Sequence, residues 1–399
     1  MSNTVKCSLL AVALVLWPVG GAHAQAVFGP GQNPLAGSRV FGTKGCARCH
    51  AVNGVGGTVG PDLGRIARAR SFYDLASAMW NHLPRMVEQM AQQGVTRPQL
   101  KVQETADLIG FFYTLNYFDA PGNPEVGARY FAEKRCINCH QVAGSGGVVG
   151  PSLDFFKQFG SPLFVAAALW NHGPQMMEAM KSQGLERPAF IGPELHDLLA
   201  YLVPASAGPG DGPVYVLPGR ADAGRQLFAS KRCIACHRVG GEGGRVGPDL
   251  VERGVRRSLL EFSAAMWNKA PAMLAAMKAQ GIALPQLRPE EMADIVAYLY
   301  AVGYFAPAGN ASHGKALAKD KGCLRCHGAS RGRVKVAGDL TRVRGLESPA
   351  AVITALWNHA VVPPPGPGGK AGQWPEFRPE EMTDLVAWRP SARPSERAQ

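Results

Sequence analysis

Apolar residues recur along this chain at three- and four-residue steps, in stretches separated by Gly- and Pro-rich loops. That spacing places them on one face of a helix, and no stretch alternates apolar and polar in the period-two manner of a strand. The expected fold class is all-α. The pattern also repeats along the chain. Each unit opens with a short helix carrying a Gly and a large apolar residue: Gly37 with Phe41, Gly127 with Phe131, Gly224 with Phe228, Gly314 with Leu317. A longer helix follows, bearing Trp80, Trp170, Trp267 or Trp357, each trailed by Asn. The last helix carries Glu-x-x-Asp and an aromatic: Glu104 with Phe111, Glu194 with Tyr201, Glu291 with Tyr298, Glu381 with Trp388. A Gly opposite an aromatic lets the first and last helices cross closely.

Between the first and second helices of each unit lies Cys-x-x-Cys-His. The copies are Cys46/Cys49/His50, Cys136/Cys139/His140, Cys233/Cys236/His237 and Cys323/Cys326/His327. The first Cys steps by 136−46 = 90, 233−136 = 97 and 323−233 = 90 residues. A period of this length suits a small domain and exceeds that of a solenoid repeat. The motif is the attachment signature of a c-type haem. Two thiols take up thioether bonds and the adjacent imidazole becomes the proximal iron ligand. One copy is compatible with a redox dithiol or half a zinc site. Four in phase predict four covalently held haem c groups, one per domain.

Met1 to Ala24 read as a secretory signal, with Lys6, an apolar run from Leu9 to Trp17 and an Ala22-His23-Ala24 cleavage site. Domains are expected over 25–120, 121–206, 207–307 and 308–399, with Pro/Gly-rich linkers at 119–124, 204–218 and 306–310. The long middle linker suggests two tighter pairs, 1 with 2 and 3 with 4. Nine cysteines are present; eight sit in the motifs and Cys7 in the leader, so none remains for a structural disulfide. The expected location is the periplasm, with a soluble protein after cleavage.

The formal charge is +12, with clusters at Arg65/Arg68/Arg70, Arg253/Arg256/Arg257 and Arg331/Arg333/Lys335. For an exported haem protein this charge points to redox protein partners with acidic docking surfaces, or to transient contact with an anionic membrane surface, and not to nucleic acid.

After each of the first three motifs a Gly-rich loop ends in Gly-Pro, at Pro61, Pro151 and Pro248. The order of short helix, Cys-x-x-Cys-His, Gly-Pro-x-Leu loop, long helix and last helix resembles a class I cytochrome c domain, repeated four times over nearly all of residues 30–390. The resemblance implies that each Pro supports the proximal His and fixes its tautomer. In the fourth repeat Gly338 stands at the aligned position. It also implies a sixth iron ligand, commonly Met before a Pro, but that slot reads Arg97-Pro98, Arg187-Pro188, Leu284-Pro285 and Trp374-Pro375. The nearest thioethers are Met pairs on the Trp-bearing helix. Met86, Met176 and Met273 are preferred, because a helix break at Pro84, Pro174 or Pro271 would aim them inward; Met90, Met180 and Met277 are the alternatives. His82, His172 and His359 compete, although the third repeat has Lys269 there. The fourth repeat has no Met pair, so His359 is its expected ligand, unless that iron stays open. The Trp residues are expected against the haem or the terminal helices, with an indole N–H able to reach a propionate.

These features predict an electron carrier with no independent catalytic activity, passing single electrons between respiratory or dehydrogenase partners. The alternative is an enzyme, or a gas- or peroxide-reactive protein, built on an open iron in the fourth domain.

Overall fold

The computed structural model describes residues 31–64, 71–115, 122–154, 161–205, 219–251, 258–305, 309–328, 340, 345–346, 348–361 and 373–388. The leader with Cys7, the three arginine clusters, half or more of each linker and Gly338 lie outside the described residues.

The fold is all-α, in four successive units. Repeat 1 contains α1 (Pro34–Thr43), α2 (Phe72–Gln92) and α3 (Val102–Thr114). Repeat 2 contains α4 (Pro124–Glu133), α5 (Pro162–Ser182) and α6 (Glu194–Ala205). Repeat 3 contains α7 (Ala221–Ser230), α8 (Leu259–Ala279) and α9 (Pro289–Phe305). Repeat 4 contains α10 (Ala311–Asp320), α11 (Cys323–His327), α12 (Pro349–Asn358) and α13 (Pro379–Ala387). Three antiparallel hairpins of two-residue strands, Ala51–Val52 with Val55–Gly56, Gln141–Val142 with Ser145–Gly146 and Arg238–Val239 with Glu242–Gly243, follow the first three motifs. They are too short to leave a period-two signal, which is why the sequence shows no strand. Among the described residues no helix is long and apolar enough to cross a membrane.

In every unit the first and last helices cross at the Gly expected there. A Cβ on Gly37 would lie 2.0 Å from the Asp107 carbonyl oxygen, and one on Gly314 would lie 1.9 Å from that of Asp384. The Glu-x-x-Asp of the last helix ties this crossing together. Asp107, Asp197, Asp294 and Asp384 accept the backbone N–H of Asn33, Asn123, Arg220 and Asn310, at the N-terminus of the first helix (2.9, 2.7, 2.7 and 2.6 Å). Glu104, Glu194, Glu291 and Glu381 each accept the N–H that opens their own helix, in the manner of a capping box (2.8, 2.7, 2.9 and 2.9 Å). The same carboxylates pair with Lys44, Lys134, Lys231 and Lys321, two residues before the first motif Cys, at 3.0, 2.8, 3.0 and 3.0 Å.

The units do not associate as the linkers suggest. Repeat 1 docks on repeat 4 and repeat 2 on repeat 3, and the Trp-Asn dipeptides make the joints. Trp80 Nε1 donates to the Pro375 carbonyl (2.7 Å), while the Asn81 amide donates to the Phe377 carbonyl and accepts its N–H (both 2.9 Å). Reciprocally, Trp357 donates to the Pro98 carbonyl (2.7 Å), and Asn358 brackets the Leu100 backbone at 2.9 and 3.0 Å. Trp170 and Asn171 hold Pro285 and Leu287, and Trp267 and Asn268 hold Pro188 and Phe190, with the same pattern. A buried Thr105–Thr354 bond of 2.7 Å adds to the 1·4 joint. The four indole N–H groups therefore donate to carbonyls of a partner repeat. A linker fixes only how far a neighbour can stray, whereas these bonds fix which unit docks on which. The two pairs meet where α9 packs on repeat 1: Phe305 lies 5.4 Å from Phe72 and Tyr304 lies 6.3 Å from Tyr113, ring centre to ring centre.

Two outcomes are expected. Asn171→Ala removes two bonds and leaves the Leu287 N–H and C=O without their partner, costing roughly 2–4 kcal/mol; a lower thermal midpoint and faster hydrogen exchange at Leu287 would check this. For Glu291, burial raises the carboxyl pKa, but the Arg288 N–H and the Lys231 ammonium outweigh it and hold the group below its ordinary value. A carboxyl depressed by folding stabilises above its unfolded value, about 4.3, and loses that contribution as pH falls through the folded value. Glu291→Gln is therefore less stable than the parent at pH 7, and urea titrations at descending pH should show the gap closing below pH about 4.

Candidate haem-binding sites

In the first three repeats the motif winds as a single 3-10 turn, Cys46–Arg48, Cys136–Asn138 and Cys233–Ala235. The residue before it sits in the left-handed region in all four copies: Gly45 (φ 81), Arg135 (φ 62), Arg232 (φ 66) and Gly322 (φ 81). The two arginines hold a conformation that costs a non-Gly residue energy, and the ion pair of the preceding Lys anchors the chain at this bend. The first thiol of each motif packs against an apolar cluster, Cys46, Cys136, Cys233 and Cys323 alike. Burial pushes these thiols up, to about 11 for Cys136 and Cys233, which is opposite to the activated thiolate of a redox dithiol. Among the described residues no three His, Cys, Asp or Glu side chains gather to hold a bare metal ion.

The second thiols are placed differently. Cys49, Cys139, Cys236 and Cys326 are half-buried free thiols that stand outside the apolar clusters holding their partners. Cys49, Cys139 and Cys236 cap the C-terminal end of the 3-10 turn, and Cys326 lies inside α11. Residues i and i+3 of such a turn stack one above the other along its axis, so the first thiol takes the inner end and the second the outer. The outer end is polar. Cys49 Sγ lies 3.8 Å from Gln93 Oε1 and Cys139 Sγ 3.9 Å from Gln183 Oε1, each Gln being the C-cap of its Met-bearing helix. Within the described residues no disulfide joins Cys236 to Cys233 or Cys326 to Cys323, nor the thiols of the first two motifs. A haem held by such a pair would have one thioether against the core and the other at the rim.

The histidines are oriented from behind. His50 Nδ1 lies 3.0 Å from the Pro61 carbonyl, His140 Nδ1 2.9 Å from that of Pro151 and His237 Nδ1 3.1 Å from that of Pro248. With a carbonyl as partner Nδ1 carries the proton, so Nε2 presents a lone pair, the form an iron ligand requires. The preceding Gly leaves room for the ring: a Cβ on Gly60, Gly150 or Gly247 would fall 2.4, 2.6 or 2.5 Å from the His Cε1. Each is a cradle that any larger residue would fill. A core thiol, a rim thiol, an oriented imidazole and that cradle together fit a covalently attached haem.

The Met-bearing helices do not break. α2, α5 and α8 run through Pro84, Pro174 and Pro271 as continuous 21-residue helices. Leu83 beside Pro84 is fully buried and Trp80-Asn81 is anchored in repeat 4, so tertiary packing outweighs one lost backbone bond. The preference for the first Met of each pair thus loses its ground. Met86 and Met90 both pack in the cluster of Phe41, Leu83 and Cys46, and Met176 and Met180 both in that of Phe131 and Cys136. Met273 and Met277 are half-buried one turn apart on α8. His82 and His172 are exposed on their helices, His82 Nδ1 lying 2.8 Å from the Ala78 carbonyl and His172 Nδ1 3.4 Å from Gln175.

Repeat 4 is built otherwise. Its motif forms the short helix α11, and its Trp-bearing helix α12 ends at Asn358, with His359 in extended conformation (φ −59, ψ 139). That turn brings His359 onto the proximal side chain: the Nε2 atoms of His327 and His359 lie 3.4 Å apart. Two metal–imidazole bonds of roughly 2 Å each span about 4 Å, so the pair is close to the separation a shared metal would need. Burial holds His359 below the usual imidazole range.

Residues 35–116 and 221–302, repeats 1 and 3, match the family model described as Cytochrome c. The chain contains cytochrome c domains. These matches support a haem c protein of the electron-transfer kind, with covalently bound haem. Searches of curated proteins and of solved structures return no match.

Two features of these sites escape a reading of the sequence. The Lys two residues before each motif is anonymous in a basic chain, because its partners lie 55 and 60 residues downstream. The docking role of Trp-Asn is hidden because its acceptors lie in another repeat.

Gly60→Ala should displace the His50 ring from the place the Pro61 carbonyl holds it in. The expected result is an oxidised protein with a high-spin absorption component that the parent spectrum lacks.

Proposed function

We propose that the chain is an exported, periplasmic tetrahaem cytochrome that stores and passes single electrons between redox proteins. The observation that carries this reading is the packing of a haem motif of one repeat against residues of its docked partner repeat. Cys46, Met86 and Met90 of repeat 1 lie in one cluster with Trp357, Val361 and Trp374 of repeat 4. Cys136 of repeat 2 likewise clusters with Trp267 of repeat 3, and a motif packed against a docked repeat suits exchange of electrons within a pair, 1 with 4 and 2 with 3.

Cys46 with Cys49, Cys136 with Cys139, Cys233 with Cys236 and Cys323 with Cys326 would attach the four haems, and His50, His140, His237 and His327 would ligate them. The sixth position would be filled by Met86 or Met90, Met176 or Met180, Met273 or Met277, and in repeat 4 by His359. Haem iron supplies reversible one-electron chemistry, with the axial ligand setting its potential. The chain's own residues do the rest. Pro61, Pro151 and Pro248 hold the imidazoles, thioether ligands raise a potential and a second imidazole lowers it. The fourth site would then be the low-potential end of the molecule. The basic charge favours partners with acidic docking faces, reached by electrostatic steering that salt weakens.

Two measurements on the purified full-length protein test this reading. Intact mass should show four covalent haems, and carbon monoxide should leave the reduced spectrum unchanged because every iron has two protein ligands. Fewer than four haems would remove the four-site reading. A carbon monoxide band worth one haem in four would restore the enzyme or gas-reactive alternative at repeat 4.

A further inference from the structure

We infer that Arg97 and Trp80 of repeat 1 are positioning residues for His359, so that the fourth haem site is complete only with repeat 1 docked on it. The inference rests on the reading of His359 as an iron ligand.

The argument starts from the truncated helix. In repeats 1 to 3 the helix continues twelve residues beyond its Trp, to Gln92, Ser182 and Ala279. In repeat 4 it stops one residue after Trp357, at Asn358. A helix end leaves its last carbonyls without intrahelical partners, and a cation there is favoured by the helix dipole. Arg97 meets that need from another repeat. Its Nη1 donates to the His359 carbonyl (2.9 Å) and its Nη2 to the Asn358 carbonyl (3.4 Å). The guanidinium fork thereby fixes the peptide that turns His359 out of the helix.

The ring is held as well as the backbone. Trp80 meets His359 edge to face, with centroids 5.3 Å apart and planes at 66°. Trp80 cannot easily shift, because Trp374 stacks on it at 4.3 Å and donates its indole N–H to the Trp80 carbonyl (3.0 Å). The Ala360 carbonyl takes His359 Nδ1 (2.7 Å), which leaves Nε2 for the His327 side.

The equivalent position in the other pair shows that this is not a general property of the joint. Arg187 of repeat 2 occupies the slot of Arg97. There it donates to the Trp267 carbonyl and lies over the Trp267 ring at 3.9 Å. Helix α8 continues past it, and Lys269, which stands where His359 does, is exposed. The same fork therefore braces a helix in the 2·3 pair and a ligand in the 1·4 pair.

The test uses the full-length tetrahaem protein and carbon monoxide as probe of an open iron. His359→Ala defines the full signal, a ferrous carbon monoxide band worth one haem in four. Arg97→Ala should reach at least half of that band, Arg97→Lys should fall between it and the parent, and Arg187→Ala should show none. Electron paramagnetic resonance of the oxidised protein should lose one low-spin signal in step. An Arg97→Ala protein that keeps its low-spin signal and ignores carbon monoxide, while His359→Ala gives the full band, would overturn the positioning role alone. A parent that already shows the band, or a His359→Ala protein that does not gain it, would overturn the ligand assignment and this inference with it. If Arg97→Ala does not accumulate with four haems, Trp80→Phe is read the same way: a band is expected, and its absence overturns the role of domain 1.

Discussion

The structure depends on a reciprocal backbone grip. A Trp-Asn dipeptide on one repeat seizes an extended x-Pro-x-apolar segment of another, and the favour is returned. The grip works because an extended strand alternates the direction of its carbonyls. In Pro98-Gln99-Leu100 the outer residues face repeat 4, where Trp357 and Asn358 take them, while the Gln99 carbonyl faces inward and accepts from Lys44 at 2.9 Å. Lys44 in turn pairs with Glu104 and stands two residues before Cys46. The docking surface and the haem motif of one repeat are thus joined through a single side chain. The same three-part linkage recurs through Lys134, Lys231 and Lys321.

This grip is generic at its hydrogen bonds and specific at one position. The residue before the Pro is Arg97, Arg187, Leu284 or Trp374, and Arg97, Arg187 and Trp374 reach the partner's helix end or indole. Arg187 over Trp267 and Trp374 over Trp80 each place a large group on a Trp face, one by cation–π attraction and the other by stacking. Backbone bonds with Trp and Asn would let any repeat pair with any other. Differing covers give the 1·4 and 2·3 pairs distinct interiors, which offers a physical basis for choosing between them.

The sequence makes some of this plain and conceals the rest for definable reasons. Cys-x-x-Cys-His is local, so each attachment site can be read from five residues. The unlike settings of Cys46 and Cys49 are not local, because Gln93 at the end of the Met-bearing helix makes the polar rim beside the second thiol. Gly37 and its equivalents are legible because the Gly and its partner aromatic both recur, and the close approach to Asp107 follows from their helical spacing. The role of Asp107 is less visible, since it serves the start of a helix 74 residues earlier. Trp80 reads as a core aromatic because nothing nearby discloses an acceptor 295 residues away. Pro84 misleads in the other direction. Its local cost is real, but Leu83 and the Trp80-Asn81 anchor hold the helix on both sides of it, so local propensity yields to tertiary packing.

The fourth repeat shows what such a framework permits. It keeps every part of the grip: Trp357 and Asn358, the Lys321–Glu381 pair, and the crossing of Gly314 on Asp384. It drops the second half of the Met-bearing helix, and with it both Met positions. The first half alone carries the docking dipeptide, so the second half can be lost without undocking the unit. Its loss exposes the carbonyls of Asn358 and His359, and a neighbour already in place supplies the Arg that satisfies them. A shortened helix in one repeat is thereby made stable by a contact from another. The constraint that holds the four units together is the same one that lets the fourth differ.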